Sequence, residues 1–424
     1  IGTFPVTKGP FGVITAVNIP AEGIPITEPP NIIPPGTPIT TLIVDTPTAD
    51  PDTVIQVTDL AGLKQTGYIE GRAYYGEVFF KDGTPFAGDP RHVLRRNLQT
   101  AKEQGFTFFT APEIEYFYFD SATNPKPLDN AGYFDLTTVD LGSSLRRRTL
   151  AMSEAMGIPV EYSFHEDNAS QHEIDLRYTE TLDMADNIMT LRLIVRKIAL
   201  DAGIHATFMP KPLDSGQGSG MHTHMSLFKG DTNAFHDSND EMGLSEIARK
   251  FMAGILHHAP EFTAVTNQLV NSYKRMIAGY ESPVYVSWAR NNRSALVRVP
   301  IHKAGKESST RIEYRALDSA ANPYLAYSVL LAAGLKGIEE DYELPEEADD
   351  NLWSISRADA KKVGLRQLPQ DLRQALDLME ESELVHETLG EHIFEWFLRN
   401  KQSEWEAYQG RVTPFEIESY LPVW

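Results

Sequence analysis

Along several stretches of this chain polar and apolar residues alternate with a period of two, as a half-buried strand requires. In "PEIEYFYF", Glu113 and Glu115 fall on one face, with Ile114 and Tyr116 on the other. "GMHTHMSLF" sets His222 and His224 against Met221, Thr223 and Met225. "STRIEYRALD" sets Arg311, Glu313 and Arg315 against Ile312 and Tyr314. Helical patterns lie between these strands. "RHVLRRNLQTAKEQG" predicts a helix stopped by Gly105, and "SSLRRRTLAMSEAMG" another over 143–157. Long helices are predicted over 182–203 and in "SEIARKFMAGILHHAPEFTAVT". "PYLAYSVLLAAGLKGIEE" is apolar enough to be a buried helix, and 385–409 holds one or two more.

"FTFFTAPEIEYFYF" (106–119) reads as a β-prone run broken by Pro112. "EVFFKDGTPFAGDP" reads as a strand, an Asp-Gly turn and a loop, "ATFMPKP" as a strand, and "GQGSGMHTHMSLF" as a glycine loop entering a strand. Residues 1–50 differ from the rest. Prolines at 20, 25, 29, 30, 34, 35 and 38 disfavour helix there and predict short strands joined by turns. Strands and helices interleave without a regular βαβ rhythm, which predicts an α+β fold with antiparallel and mixed strands.

Composition narrows the function. The 424 residues allow two or three domains, or one small and one large. The net charge of −21 disfavours nucleic acid and anionic membrane surfaces as partners, while leaving room for local basic sites. With no cysteine, disulfides, thiolate metal sites and cysteine nucleophiles are excluded. No apolar run nears the ~20 residues of a membrane helix, and "IGTFPVTKGPFG" lacks the pattern of a signal peptide, so a cytoplasmic protein is expected.

The polar strand faces suggest a shared site. Two carboxylates at i, i+2 repel one another and favour an intervening cation. "HEDNASQHEIDL" adds Glu166 and Glu173 around a turn. Glutamates and histidine without sulfur suit Mg²⁺ or Mn²⁺. Each strand alone reads more simply as the solvated face of a sheet. Several together would bury charge if a barrel or saddle turned them inward, and buried charge needs a counter-ion. Arg275, Arg293, Arg298, Arg311 and Arg315 add planar donors suited to phosphate and carboxylate, or else form surface ion pairs. No GxxxxGK[ST] loop or nucleophile elbow is present.

The blocks "GSGMHTHMSLF", "NSYKRMIAGYESPV", "NRSALVRVP" and "RIEYRALDSAANPYLA" resemble the signature blocks of type I glutamine synthetase. "TAPEIEYFYF", "HEDNASQHEID", "ATFMPKP" and "LGEHIFEWFLRNKQSEWEAY" match too, in family order, over roughly residues 75–424. The resemblance implies a small N-terminal β-grasp-like domain (1–90) and a large catalytic domain (91–424). It implies an active-site funnel of antiparallel strands between neighbouring subunits of a dodecamer of two stacked hexameric rings.

It further implies two or more divalent ions per site, Mg²⁺ or Mn²⁺, with ATP as co-substrate and L-glutamate and ammonium as substrates. One metal would be held by Glu115, Glu166 and Glu173, the other by Glu113, His222 and Glu313. Arg293, Arg298 and Arg311 would hold phosphate, with His224 and Ser226 on the nucleotide side. Arg275 and Arg315 would clamp glutamate, and the Gly218 loop would approach its amino-acid end. Glu281 would close the site and take a proton from the attacking nitrogen, and Tyr133 would line the ammonium pocket. The implied reaction is ATP-dependent ligation of ammonia to glutamate through γ-glutamyl phosphate. The alternatives are a γ-glutamyl-amide ligase for an alkylamine, polyamine or ethanolamine, and a non-catalytic assembly protein.

The chain also departs from the family pattern. Phe164-His165-Glu166 stands where "HHE" is usual, Asp167 where an apolar residue is, and Gln217 where Asn is. Ala278 replaces a common Pro and Ser282 a common Ala. No "DGSS"-type loop occurs in residues 1–60, and Asp45 and Asp50, the aspartates of the first fifty residues, lack its context. A missing ammonium-side Asp would suit a larger amine. Trp353 stands where the adenylylated subtype has Tyr, so nucleotidyl control is not expected.

Overall fold

The computed structural model describes residues 75–80, 82–277, 281–290, 292–301, 305, 307–348, 355, 357–362 and 364–424, together with the backbone of five short strands before residue 75. Three of these, Thr3–Phe4, Ile55–Val57 and Leu42–Val44, join Val78–Phe80 in a four-stranded sheet in that order. The last pair is parallel and the others antiparallel. Val6–Lys8 pairs with Ile14–Val17. Before residue 75 the β-grasp-like domain expected over 1–90 otherwise lies outside the described residues, as do Asp45, Asp50, Ala278 and Trp353.

A ten-stranded sheet organises the rest. Its main path runs Trp288–Ala289, Val297–Arg298, Ile312–Tyr314, Met221–Lys229, Thr107–Phe119, Gln171–Leu176 and Val160–His165. All neighbours along this path are antiparallel except the first pair. One face is apolar. Ile114, Tyr116, Met221, Met225, Ile312 and Tyr314 are buried there in one core with Phe251, Ile255, Leu330 and Leu331 from two helices. The period-two pattern therefore has its cause in an apolar core on one side of the sheet and polar side chains on the other.

Thr107–Phe119 is a single strand, although Pro112 predicts a break. The backbone explains the difference. Glu115 donates its N–H to Gly220 on one side, while Tyr118 donates to Ser170 on the other. Alternation turns the Pro112 nitrogen toward the Ser170 side. There the pairing passes from Thr110 with Thr179 to Glu113 with Asp175. The proline falls in that gap, so its missing N–H removes no ladder bond. The strand expected in "ATFMPKP" is shorter, His205–Thr207, and stops before Pro210.

The predicted helices form with their caps. Pro90–Glu103 starts on Asp89, whose carboxylate accepts from Arg91 N–H at 2.9 Å and Val78 N–H at 3.0 Å. Gly105 ends it at φ +84°, a conformation that favours glycine. The 385–409 stretch is two helices, Glu383–Leu389 and Glu391–Gln409, parted at Gly390 with φ +75°. Four further helices among the described residues, Ser272–Arg275, Arg357–Lys362, Leu372–Glu380 and Pro414–Tyr420, are not foreseen by the pattern.

Glu246–Thr266 and Pro323–Glu339 pack face to face through glycines. A Cβ on Gly254 would lie 2.1 Å from the Ala333 carbonyl oxygen, and one on Gly337 2.2 Å from that of Lys250. Backbone cannot yield there as a side chain can. Gly254→Ala is expected to cost about 1–3 kcal/mol by overpacking, read as a lower urea midpoint at unchanged slope.

Candidate active site

Sheet register brings the marked residues together. Arg298 stands opposite Glu313, Glu313 opposite His224, His222 opposite Glu113, and Glu115 opposite Glu173. Five adjacent strands thus carry charge on the face away from the core.

Glu113, His222 and Glu313 place ligand atoms within 4.8 Å of one another. The Glu113 carboxylate meets His222 Nδ1 at 3.3 Å and His224 Nε2 at 2.8 Å. Glu313 is fully buried and accepts from both Arg298 and Arg315. Burial alone would raise Glu313, but Arg315 and then His224 and Arg298 hold it below the ordinary carboxylate value. Burial, reinforced by Arg315, pushes His222 down to about 4. It is therefore a neutral imidazole at neutral pH, the form that binds metal.

The second carboxylate group has the opposite balance. Glu115 and Glu166 border one cavity of about 20 Å³, with Gly218, His222, Arg275 and Glu281. Glu115 accepts from Gln171 Nε2 at 2.8 Å and Gly220 N–H at 3.0 Å. Burial, with the charge of Glu166 added, pushes Glu115 up to about 8. Burial likewise pushes Glu166 up to about 7, with Glu281 adding and the Asp167 amide opposing. Burial and Asp175 drive Glu173 well above the carboxylate range. Asp175 itself goes to about 8, from burial and then Glu113. This is a set of carboxylates short of positive charge, buried at Glu115 and Glu173 and half-buried at Glu166 and Asp175. A hard divalent cation fits it, since it would supply the missing charge with oxygen-only coordination. The nearby set of two carboxylates and a neutral imidazole fits a borderline ion such as Mn²⁺.

The arginines divide. Arg275 is buried and donates to the Ala316 carbonyl at 2.9 Å and the Arg315 carbonyl at 3.3 Å, with its second amino group 3.5 Å from His222 Nε2. Arg315 donates to Glu313 and, through Nε, to the Arg293 carbonyl at 3.0 Å. Arg311 Nε lies 3.3 Å from His224 Nδ1. Ser226 is buried one strand repeat beyond His224. Arg293 is exposed, and its side chain is hydrogen-bonded to the half-exposed Tyr133. Glu281 donates its N–H to Gln217 Oε1 at 2.9 Å, so Gln217, a residue that departs from the family pattern, holds the Glu281 backbone. Gly218 has no room for a side chain, since a Cβ would lie 2.2 Å from the Pro210 carbonyl oxygen.

Some site residues are not among those the sequence marks. Gln171 and Asp175 share the period of Glu173 and are within reach of the same alternation rule. Asp129 is not, because it lies on an aperiodic loop. Its carboxylate receives His165 Nε2 at 3.0 Å, while His165 Nδ1 lies 2.6 Å from the Glu166 carbonyl oxygen. Both ring nitrogens face acceptors, and although burial alone would lower the His165 pKa, the bonds to Asp129 and the Glu166 carbonyl raise it above the ordinary imidazole value.

The chain belongs to the glutamine synthetase family: residues 87–420 match the model described as "Glutamine synthetase, catalytic domain". It is 52% identical over 360 residues to the glutamine synthetase of Mycolicibacterium smegmatis, covering 83% of this chain and 81% of that one. The glutamine synthetase of Clostridium saccharobutylicum is 46% identical over 349 residues, 81% of this chain and 78% of that protein. Among solved structures, "GmaS/ADP complex-Conformation 1" matches with a TM-score of 0.74 at 31% identity, over 82% of this chain and 81% of that one. The α+β expectation agrees with this fold. No helix among the described residues is long and apolar enough to cross a membrane.

Proposed function

We propose that this chain joins ammonia to the γ-carboxylate of L-glutamate at the expense of ATP, giving glutamine, ADP and phosphate. The observation that carries the reading is the pairing of two unlike carboxylate sets beside one row of arginines. One set is short of positive charge, and the other is already balanced by Arg298 and Arg315.

Glu115, Glu166 and Glu173 hold one divalent ion, and Glu113, His222 and Glu313 the other, as Mg²⁺ or Mn²⁺. When bound, such ions neutralise carboxylate and phosphate oxygens and polarise the phosphoryl group. Arg298 and Arg311 line the phosphate path with Arg293, and His224 and Ser226 lie on its nucleotide side. A γ-carboxylate oxygen of glutamate attacks the γ-phosphorus, and the bond to ADP breaks. Arg275 and Arg315 orient the amino acid beside the Gly218 loop. Ammonia, admitted beside Tyr133, then attacks the acyl carbon and phosphate leaves. Glu281 takes the proton released by the nitrogen, and its flap excludes water from the acyl phosphate. The protein acts in the cytoplasm as a dodecamer of two hexameric rings. Exposed Val412, Phe415, Leu421 and Trp424 form apolar surface that such an assembly would cover.

The test is phosphate release from ATP with glutamate and Mg²⁺, adding ammonium or a panel of amines. Release that depends on ammonium and matches glutamine formed is expected. Release with alkylamines, polyamines or ethanolamine but not ammonium would establish an amide ligase instead. No release with any donor would leave a non-catalytic assembly.

A further inference from the structure

Two non-glycine residues near the site hold left-handed backbone, Ser170 and Phe134, each at φ 57°. Such conformations persist only where the surroundings fix them. Ser170 ends the turn that begins at Glu166, and Phe134 follows Tyr133. Both are held around one buried carboxylate. Asp129 Oδ1 accepts from His165 Nε2 at 3.0 Å and Ser170 N–H at 3.0 Å, and Oδ2 from Leu141 N–H at 3.1 Å. Ser170 Oγ in return accepts the Leu128 N–H at 2.6 Å and the Asp129 N–H at 3.0 Å. Phe134 donates its N–H to the His165 carbonyl at 3.0 Å.

We propose that Asp129 is a positioning residue that, through His165 and Ser170, ties the turn bearing Glu166 to the loop bearing Tyr133. It thereby sets the grip of the Glu115–Glu166–Glu173 group on its divalent ion. The inference rests on the metal reading under Proposed function. Asp129, His165 and His172 also bring ligand atoms within 4.8 Å of one another. They do not form a third ion site. The Arg146 guanidinium is 2.8 Å from His172 Nδ1, and both His165 nitrogens are engaged. The cluster is a hydrogen-bonded strut.

Mn²⁺ titration calorimetry of the full chain, without nucleotide, tests this. The wild type is expected to bind two ions. Asp129→Ala should weaken one of them by about 10–100-fold, the usual effect of losing a partner behind a metal ligand, and leave the other little changed. The Mn²⁺ concentration for half-maximal activity should rise in parallel, with kcat recovering at saturating metal. Asp129→Asn keeps an acceptor toward His165 and Ser170 but sets its amide nitrogen against the Leu141 N–H, and should recover part of the affinity. If Asp129→Ala does not fold, Ser170→Ala, which removes only the bridging hydroxyl, should weaken the same ion several-fold. Unchanged binding of both ions in a folded variant overturns the proposal, as does equal weakening of both, the mark of a general structural role. A wild type that binds no Mn²⁺ overturns the metal reading and this inference with it. Two ions in the wild type and the same two in the variants overturn this inference alone.

Discussion

Glu313→Ala should lower glutamine formation by at least about 10²–10³-fold while the chain still assembles. Glu313 stands where three demands meet. It faces His222 Nδ1 at 3.9 Å, supplies a ligand atom to the Glu113–His222–Glu313 group, and accepts from Arg298 and Arg315. Alanine removes the metal donor and releases both guanidinium groups at once. Arg315, with a side chain only 5% exposed, is then left as a buried cation without its carboxylate. Breaking a buried pair from one side costs about 3–5 kcal/mol, so a lower Tm is expected alongside the lost activity. Glu313→Gln separates the effects. It keeps volume and one acceptor oxygen, and should lose most activity at a smaller cost in stability. Glutamine formation, Mn²⁺ binding and size-exclusion elution, measured on both variants, check this. Near-native turnover in Glu313→Ala would remove Glu313 from the metal site.

The opening pattern explains why this much of the site is legible. A pleated strand with one face in the core must alternate, so Glu113 with Glu115, His222 with His224, and Arg311 with Glu313 and Arg315 declare a shared face before any fold is known. The core residues between them, from Ile114 to Tyr314, lie where alternation puts them. What the pattern does not carry is the partner of each group. That Glu313 faces Arg298 follows from register between strands distant in sequence. That Arg275 is engaged by the Ala316 carbonyl depends on the tertiary fold, since the two lie 41 residues apart. Pro112 misleads for the same reason, since its cost depends on what lies beside it, and a gap lies there. Asp129 is hidden most completely. It occupies a loop without period, and its bond to His165 joins residues 36 apart. The family resemblance names roles for Glu166 and Tyr133 but says nothing of the carboxylate that ties their segments together.

The second carboxylate group should make the metal-free protein less stable as pH rises. Its folded values lie above the ordinary ones, about 8 against 4.5 for Glu115, about 8 against 3.8 for Asp175, and about 7 against 4.5 for Glu166. A group raised in this way favours the fold while protonated. Its contribution is complete below the unfolded value and is lost as pH climbs through the folded one. Each group held protonated in the fold and ionised in the unfolded chain costs about 1.4 kcal/mol per pH unit across that window. The metal-free Tm should therefore fall steadily between about pH 5 and pH 8. Saturating Mg²⁺ or Mn²⁺ should flatten the fall, because a bound cation keeps the same oxygens ionised without mutual repulsion. Metal binding near pH 7 must then expel protons, so its calorimetric enthalpy should vary with the ionisation enthalpy of the buffer. Glu115→Gln makes the sign specific: an amide needs no proton, so the metal-free variant should lose part of the pH slope and bind the ion more weakly. A metal-free Tm that stays level over this range, with no proton release on adding Mn²⁺, would mean these carboxylates are already balanced by the protein, and the case for a cation among them would fall.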